Sequence, residues 1–88
     1  FSQKVEGHSR YMSVYLEVEK AKGVTRLRKF LTESGYVLVS MNKTKEKTLQ
    51  PSDVAIAVEL DLKKKTSHQL VLGEMNNLEY VNYIEEIL

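Results

Sequence analysis

Few side chains in this sequence are of the kinds that catalyse reactions, and their spacing decides what they can do. With no cysteine, the chain has no thiolate nucleophile, no disulfide and no Cys-ligated zinc, and the redox compartment is left open. His8 and His68 stand far apart, neither with an acidic or cysteine partner at ligand spacing. They read as exposed or helix-capping histidines and not as metal ligands. Glu85 and Glu86 are adjacent on a short predicted strand, so only one of them can face a given site. Glu74 and Glu79 read as solvation of a helix rather than as a carboxylate pair. Serine and threonine are plentiful, but none sits in a nucleophile-elbow context. The expectation is a non-enzymatic chain with no catalytic residue, no cofactor and no metal.

One stretch does stand where a ligand could bind. In "EKAKGVTRL" (Glu19 to Leu27) a lone glycine joins an apolar strand to a helix. The surroundings match neither G-x-x-x-x-G-K-[ST] nor G-x-G-x-x-G. Gly23 therefore reads first as the residue that starts a crossover helix, although a helix amino end still offers unpaired N–H groups to an anion.

The elements that must position these residues follow from hydrophobic period. Met12, Val14, Leu16 and Val18 alternate with Tyr11, Ser13, Tyr15 and Glu17, as a half-buried strand requires. Val24, Leu27, Phe30 and Leu31 recur at helical spacing, and Ser34-Gly35 closes that helix. Tyr36 to Met41 is a second strand, followed by a polar stretch from Asn42 to Asp53 that predicts an exposed, mobile hairpin loop. Val54, Ile56, Val58, Leu60 and Leu62 alternate in a third strand, which Lys63-Lys64-Lys65 ends. Thr66 and Gln69 fit a capping box for a second helix. Its apolar face is Leu70 (or Val71), Met75 and Leu78. Tyr80 to Ile87 is the last strand.

The order is strand, helix, strand, strand, helix, strand. Two split strand–helix–strand units with right-handed crossovers give an α+β, ferredoxin-like βαββαβ plait: a four-stranded antiparallel sheet with both helices on one face. Its strand-1/helix-1 loop, its strand-2/strand-3 loop and its helix-2/strand-4 turn share one end. Lys20, Lys22, Lys43, Lys45 and Lys47 should gather there around Gly23, where they either meet an anionic partner or keep the loops soluble. The face without helices should carry Tyr11, Tyr15, Ala55 and Ala57, joined by Tyr36 and Leu38 or by Val37 and Val39, depending on register. That surface is too apolar for a solvated sheet and marks an interface, either between two copies or with the rest of a parent protein. It does not read as a nucleic-acid platform. Ala55 and Ala57 stand where the third strand of an RNA-recognition plait needs stacking aromatics, and a net charge of +1 supplies no general attraction to phosphate.

The bulk numbers agree with one small domain: 88 residues, 42% hydrophobic and 28% charged, enough for a thin single core. No apolar run is long enough to span a bilayer. The first ten residues show no period and read as a flexible lead-in before a single domain over 11–88. The chain has no initiator Met, and reads as a piece of a longer protein.

"EVEKAKGVTRLRKFL", then "SGYVLVSM", then "MNNLEYVNYIEEI" together resemble the ACT-type regulatory domain over residues 11 to 88. The likeness is greatest to the cytoplasmic C-terminal domain of the MgtC/SapB family, bacterial membrane proteins linked to growth at low magnesium and to virulence. It implies a regulatory domain on the cytoplasmic side of the bacterial inner membrane, attached through an upstream membrane part and pairing through its sheet. It also implies a small effector near the strand-1/helix-1 glycine, here Lys22, Gly23 and Val24. A ligand-sensing ACT domain of a cytosolic enzyme or transcription regulator is the alternative. The usual Asp-x-Pro-Gly is replaced by Lys20-Ala21-Lys22-Gly23, which implies a ligand other than the family's customary amino acid.

Overall fold

Strict alternation in the first strand divides the molecule into two sides. Met12, Val14, Leu16 and Val18 of β1 (Tyr11–Glu19) are buried under the helices, and Tyr11, Ser13, Tyr15 and Glu17 point the other way. In the computed structural model, which describes residues 7–88, the remaining elements are α1 (Gly23–Glu33), β2 (Val37–Lys43), β3 (Asp53–Asp61), α2 (His68–Asn76) and β4 (Val81–Ile87). The first six residues of the expected lead-in lie outside the described residues. The strands form one antiparallel sheet in the order β2-β3-β1-β4. With both helices on one face, this is the ferredoxin-like α+β plait expected from the sequence.

The central β1–β3 ladder is regular over nine pairs, from Tyr11 opposite Asp61 to Glu19 opposite Asp53. Both outer strands carry a bulge. Val39 is an extra residue in β2 between the pairs Leu38–Leu60 and Ser40–Glu59, and Asn82 is extra in β4 between Val81–Val18 and Tyr83–Glu17. Asn82 donates from its side-chain amide to both oxygens of the buried Asp53, at 2.9 and 3.1 Å. The bulge thus aims a donor at a carboxylate that would otherwise be buried unmatched.

The core is the helix-side layer. Leu16, Leu27, Leu31, Ile56, Leu60, Val71 and Met75 are fully buried, each such side chain contributing about 1.5–3 kcal/mol by leaving water. Val71 and Met75 form the inward face of α2, and Leu70 is exposed. At the end of α1 the amide of Gly35 donates to the Thr32 carbonyl and that of Tyr36 to Leu31, with Gly35 at φ 84°. This is the paired closure that favours glycine.

Three details differ from expectation. Helix α2 is capped by Ser67, whose hydroxyl accepts from the Leu70 amide, while the Thr66 hydroxyl donates to the Lys64 carbonyl. The cap therefore sits one residue later than the Thr66/Gln69 pattern predicts. The β2–β3 connection is also shorter than read: Asn42 and Lys43 belong to β2, Asp53 begins β3, and residues 44–52 cross the open face. Of the two registers considered for β2, Tyr36 and Leu38 pack on the core, leaving Val37 and Val39 exposed.

Residues 7–10 are fastened to the domain. Arg10 forms a two-point ion pair with Asp61 at 2.7 and 2.8 Å, and its carbonyl accepts from the Leu62 amide. His68, expected to be exposed or to cap a helix, is buried. Its Nδ1 lies 2.7 Å from Glu86 Oε2, its Nε2 is 2.8 Å from the Ser9 carbonyl oxygen, and its backbone amide donates to the Gly7 carbonyl.

Candidate functional site on the open sheet face

The glycine junction has a packing explanation. Gly23 is buried at the first turn of α1, and a β-carbon there would lie 3.0 Å from Val18 Cβ and 3.1 Å from Val18 Cγ2. Only a residue without a side chain lets the helix descend this closely onto β1. Lys22 is exposed and Val24 leans on the core. The amide of Lys22 donates to Glu19 Oε1 at 2.9 Å, so the chain's own carboxylate already sits at the helix amino end. The loops do gather as the topology requires: the Lys20 amide bonds the Ser52 carbonyl and the Glu19 amide bonds the Tyr80 carbonyl. Lys20, Lys22, Lys43, Lys45 and Lys47 are all exposed, and Lys47 lines the pocket on the face without helices.

An open pocket lies elsewhere, on the face without helices. Its floor is β1, β3 and β4, and the 44–52 segment walls it on one side. It measures about 770 Å³, with Tyr15, Glu17, Ala57, Tyr83, Glu85 and Leu49 among the residues that line it. Register explains the floor. Tyr15 stands opposite Glu85 and Glu17 opposite Tyr83, so two Tyr-x-Glu pairs on antiparallel neighbours form a checkerboard. Each phenol donates to the glutamate two residues along its own strand, Tyr15 to Glu17 and Tyr83 to Glu85, both at 2.6 Å. The two rings meet edge to face with centroids 5.9 Å apart, a favoured aromatic geometry.

That wall is tied down at the main chain. The amide of Leu49 donates to Glu17 Oε1 at 2.9 Å while its side chain is exposed. Turns within the segment use the Thr44 and Thr48 hydroxyls and the Gln50 carbonyl. Glu17 is thereby 4% exposed. Burial first, and then the hydrogen bond to Glu17, push the Tyr15 phenol well above its usual range. The Tyr83 phenol is raised mainly by its bond to Glu85. Both phenols therefore stay protonated as donors, and their glutamates act as acceptors.

Of the expected interface residues, Tyr11 is exposed, Tyr15 and Ala57 line the cavity, and Ala55 is buried in the sheet. The expected surface is thus split in two. One end is walled by 44–52. At the other end Tyr11 and Val37, in line across Asp61, stand exposed with Val39, while the exposed Ile87 lies on the rim of the pocket. The carboxylates of Glu85 and Glu86 have different partners, Glu85 accepting from Tyr83 and Glu86 lying against His68, although both residues border the pocket. Among the described residues no group of three or more His, Cys, Asp or Glu side chains is arranged to hold a metal, and no helix is long and apolar enough to cross a membrane. Sequence reasoning missed Glu17, Glu46, Leu49, Tyr83 and Glu85 as site residues. The signal was the repeated Y-x-E at Tyr15 and Tyr83, on strands that the plait makes neighbours. Compared with known proteins, the chain matches no family model and has no significant match among curated sequences.

Proposed function

We propose that this chain is a non-catalytic regulatory and interaction domain of the ACT type, acting within a larger MgtC/SapB-like bacterial membrane protein and pairing with a second copy through its open sheet face. The supporting observation is the part of that face left uncovered, where Tyr11, Val37 and Val39, with Ile87 on the rim of the pocket, are each about half exposed, between 44% and 54%. Isolated exposed apolar residues are ordinary, but four on one sheet face fit a contact surface. Pairing is tested by sedimentation equilibrium of the domain. The expected result is a dimer that Tyr11→Asp with Val37→Asp converts to a folded monomer. A monomer throughout the concentration range, indifferent to both changes, overturns the reading. Both positions are exposed, so the variants test contact rather than folding.

The open pocket favours a second reading, an effector-sensing domain. The ligand site is then the cavity beside Tyr15 and Tyr83, not the Lys22–Gly23–Val24 junction that the family resemblance implies.

A further inference from the structure

Four polar or charged side chains are buried among the described residues: Glu17, Asp53, Asp61 and His68. Asp61 has the Arg10 guanidinium, His68 has the Glu86 carboxylate, and Asp53 has both its oxygens on the Asn82 amide. Glu17, like Asp53, has neutral donors only: it accepts from one phenol and one backbone amide, and among the described residues no cation stands within ion-pair distance of either carboxylate. A buried carboxylate normally has a counter-charge. Glu17 also adjoins a cavity, and the cavity wall repeats the same chemistry: Glu85 and Glu46 line it, with Lys47 as the one lysine or arginine among its lining residues. The Tyr15 and Tyr83 rings add electron-rich faces, which attract cations within about 6 Å of a ring centroid. Ala57, Leu49 and Ile87 supply apolar wall for a carbon chain.

We propose that this pocket binds a small organic cation, an alkylammonium ion, with its charged head between Glu17, Glu85 and the Tyr15 and Tyr83 rings. This rests on reading the cavity as an effector site and names the ligand class. An inorganic anion is repelled by four lining glutamates, Glu17, Glu46, Glu85 and Glu86, against one lysine. A bare divalent ion prefers several converging oxygens, whereas here Glu17 and Glu85 each already hold a phenol on one oxygen. An alkylammonium ion uses all three features at once: carboxylate charge, aromatic face and apolar wall. The 44–52 wall is part of the site, because the same Glu17 carboxylate that would face the cation also holds the Leu49 amide. Occupancy should therefore be felt in the 44–52 segment.

The test is a two-dimensional NMR titration of the intact chain with 1,5-diaminopentane and, separately, tetramethylammonium. Sodium chloride at equal ionic strength serves as the reference, and acetate, glucose and magnesium chloride as further arms. The expected result is saturable shifts at Tyr15, Leu49 and Tyr83 for the two organic cations alone. Glu85→Gln and Tyr83→Leu should each weaken binding by about threefold to tenfold. Glu85 is exposed, so that variant keeps its fold even if Glu17→Gln does not. Shifts that only follow ionic strength overturn the proposal. Saturable binding of acetate, glucose or magnesium at the same residues, with none of the organic cations, also overturns it but leaves the effector reading standing. No saturable binding in any arm removes both.

Discussion

Gly23 has no room for a β-carbon, which gives it a structural duty independent of any ligand. Gly23→Ala would press a methyl against the fully buried, β-branched Val18. The expected loss of stability is about 1–3 kcal/mol, the usual range for overfilling a packed contact. Chemical denaturation checks it. Adding Val18→Ala removes Cγ2 and lets the strand yield, so the double variant should lose less than the two single losses added together, by about 0.5 kcal/mol or more. An additive pair would show that the contact with Val18 Cγ2 does not carry the loss, leaving the closer contact with Cβ, which alanine keeps. The sequence marked this glycine correctly as a junction. Its neighbour across the junction was not legible, because close approach between helix and strand depends on tertiary spacing that a single position does not encode.

The clearest element-scale device is the fastening of residues 7–10 to the end of β3. Asp61 accepts from Arg10 at two points and also from the Lys63 amide, at 2.8 Å, with Lys63 turned to φ 75°. The bond to Arg10 is the main reason that the Asp61 carboxyl is held down to about 2, from an ordinary 3.8. The sign follows from that depression. The folded state keeps Asp61 ionised where the unfolded chain would protonate it, so the contribution is complete above about pH 4 and fades as the pH falls toward 2. Denaturation midpoints measured from pH 6 to pH 2 should decline over that window, and Arg10→Met should flatten the decline. An equal slope in the variant would place the acid sensitivity elsewhere. Element order and type were legible because the apolar periods are clean: β1 and β3 alternate without a fault, and α1 ends on Ser34-Gly35. Boundaries were less so. Thr66 and Ser67 are both competent caps, and which one serves depends on where the chain leaves β3. The polar 42–53 stretch hid a pocket wall because its hold on the sheet is a backbone amide, and every residue type but proline carries one.

At the scale of the whole molecule the two faces of the sheet have different tasks. One carries the helices and holds the core, and the other holds a cavity at one end and an exposed apolar patch at the other. The apolar character of the open face was readable from Tyr11, Tyr15, Ala55 and Ala57. Its division was not, since that depends on a segment distant in sequence folding back across β3 to reach Glu17. The two bulges also bear on how copies can meet. An open sheet has two outer strands whose unpaired N–H and C=O groups invite another strand to dock. Here Val39 interrupts β2 and Asn82 interrupts β4, while the inner β1–β3 ladder is uninterrupted. Deleting Val39 would straighten the β2 edge without reversing the faces of the residues that follow, and thioflavin fluorescence after prolonged incubation should then rise above that of the parent chain. Unchanged fluorescence would mean that the bulge is no guard. With a bulge in each border strand, the sheet offers a docking strand no long, regular edge on either side.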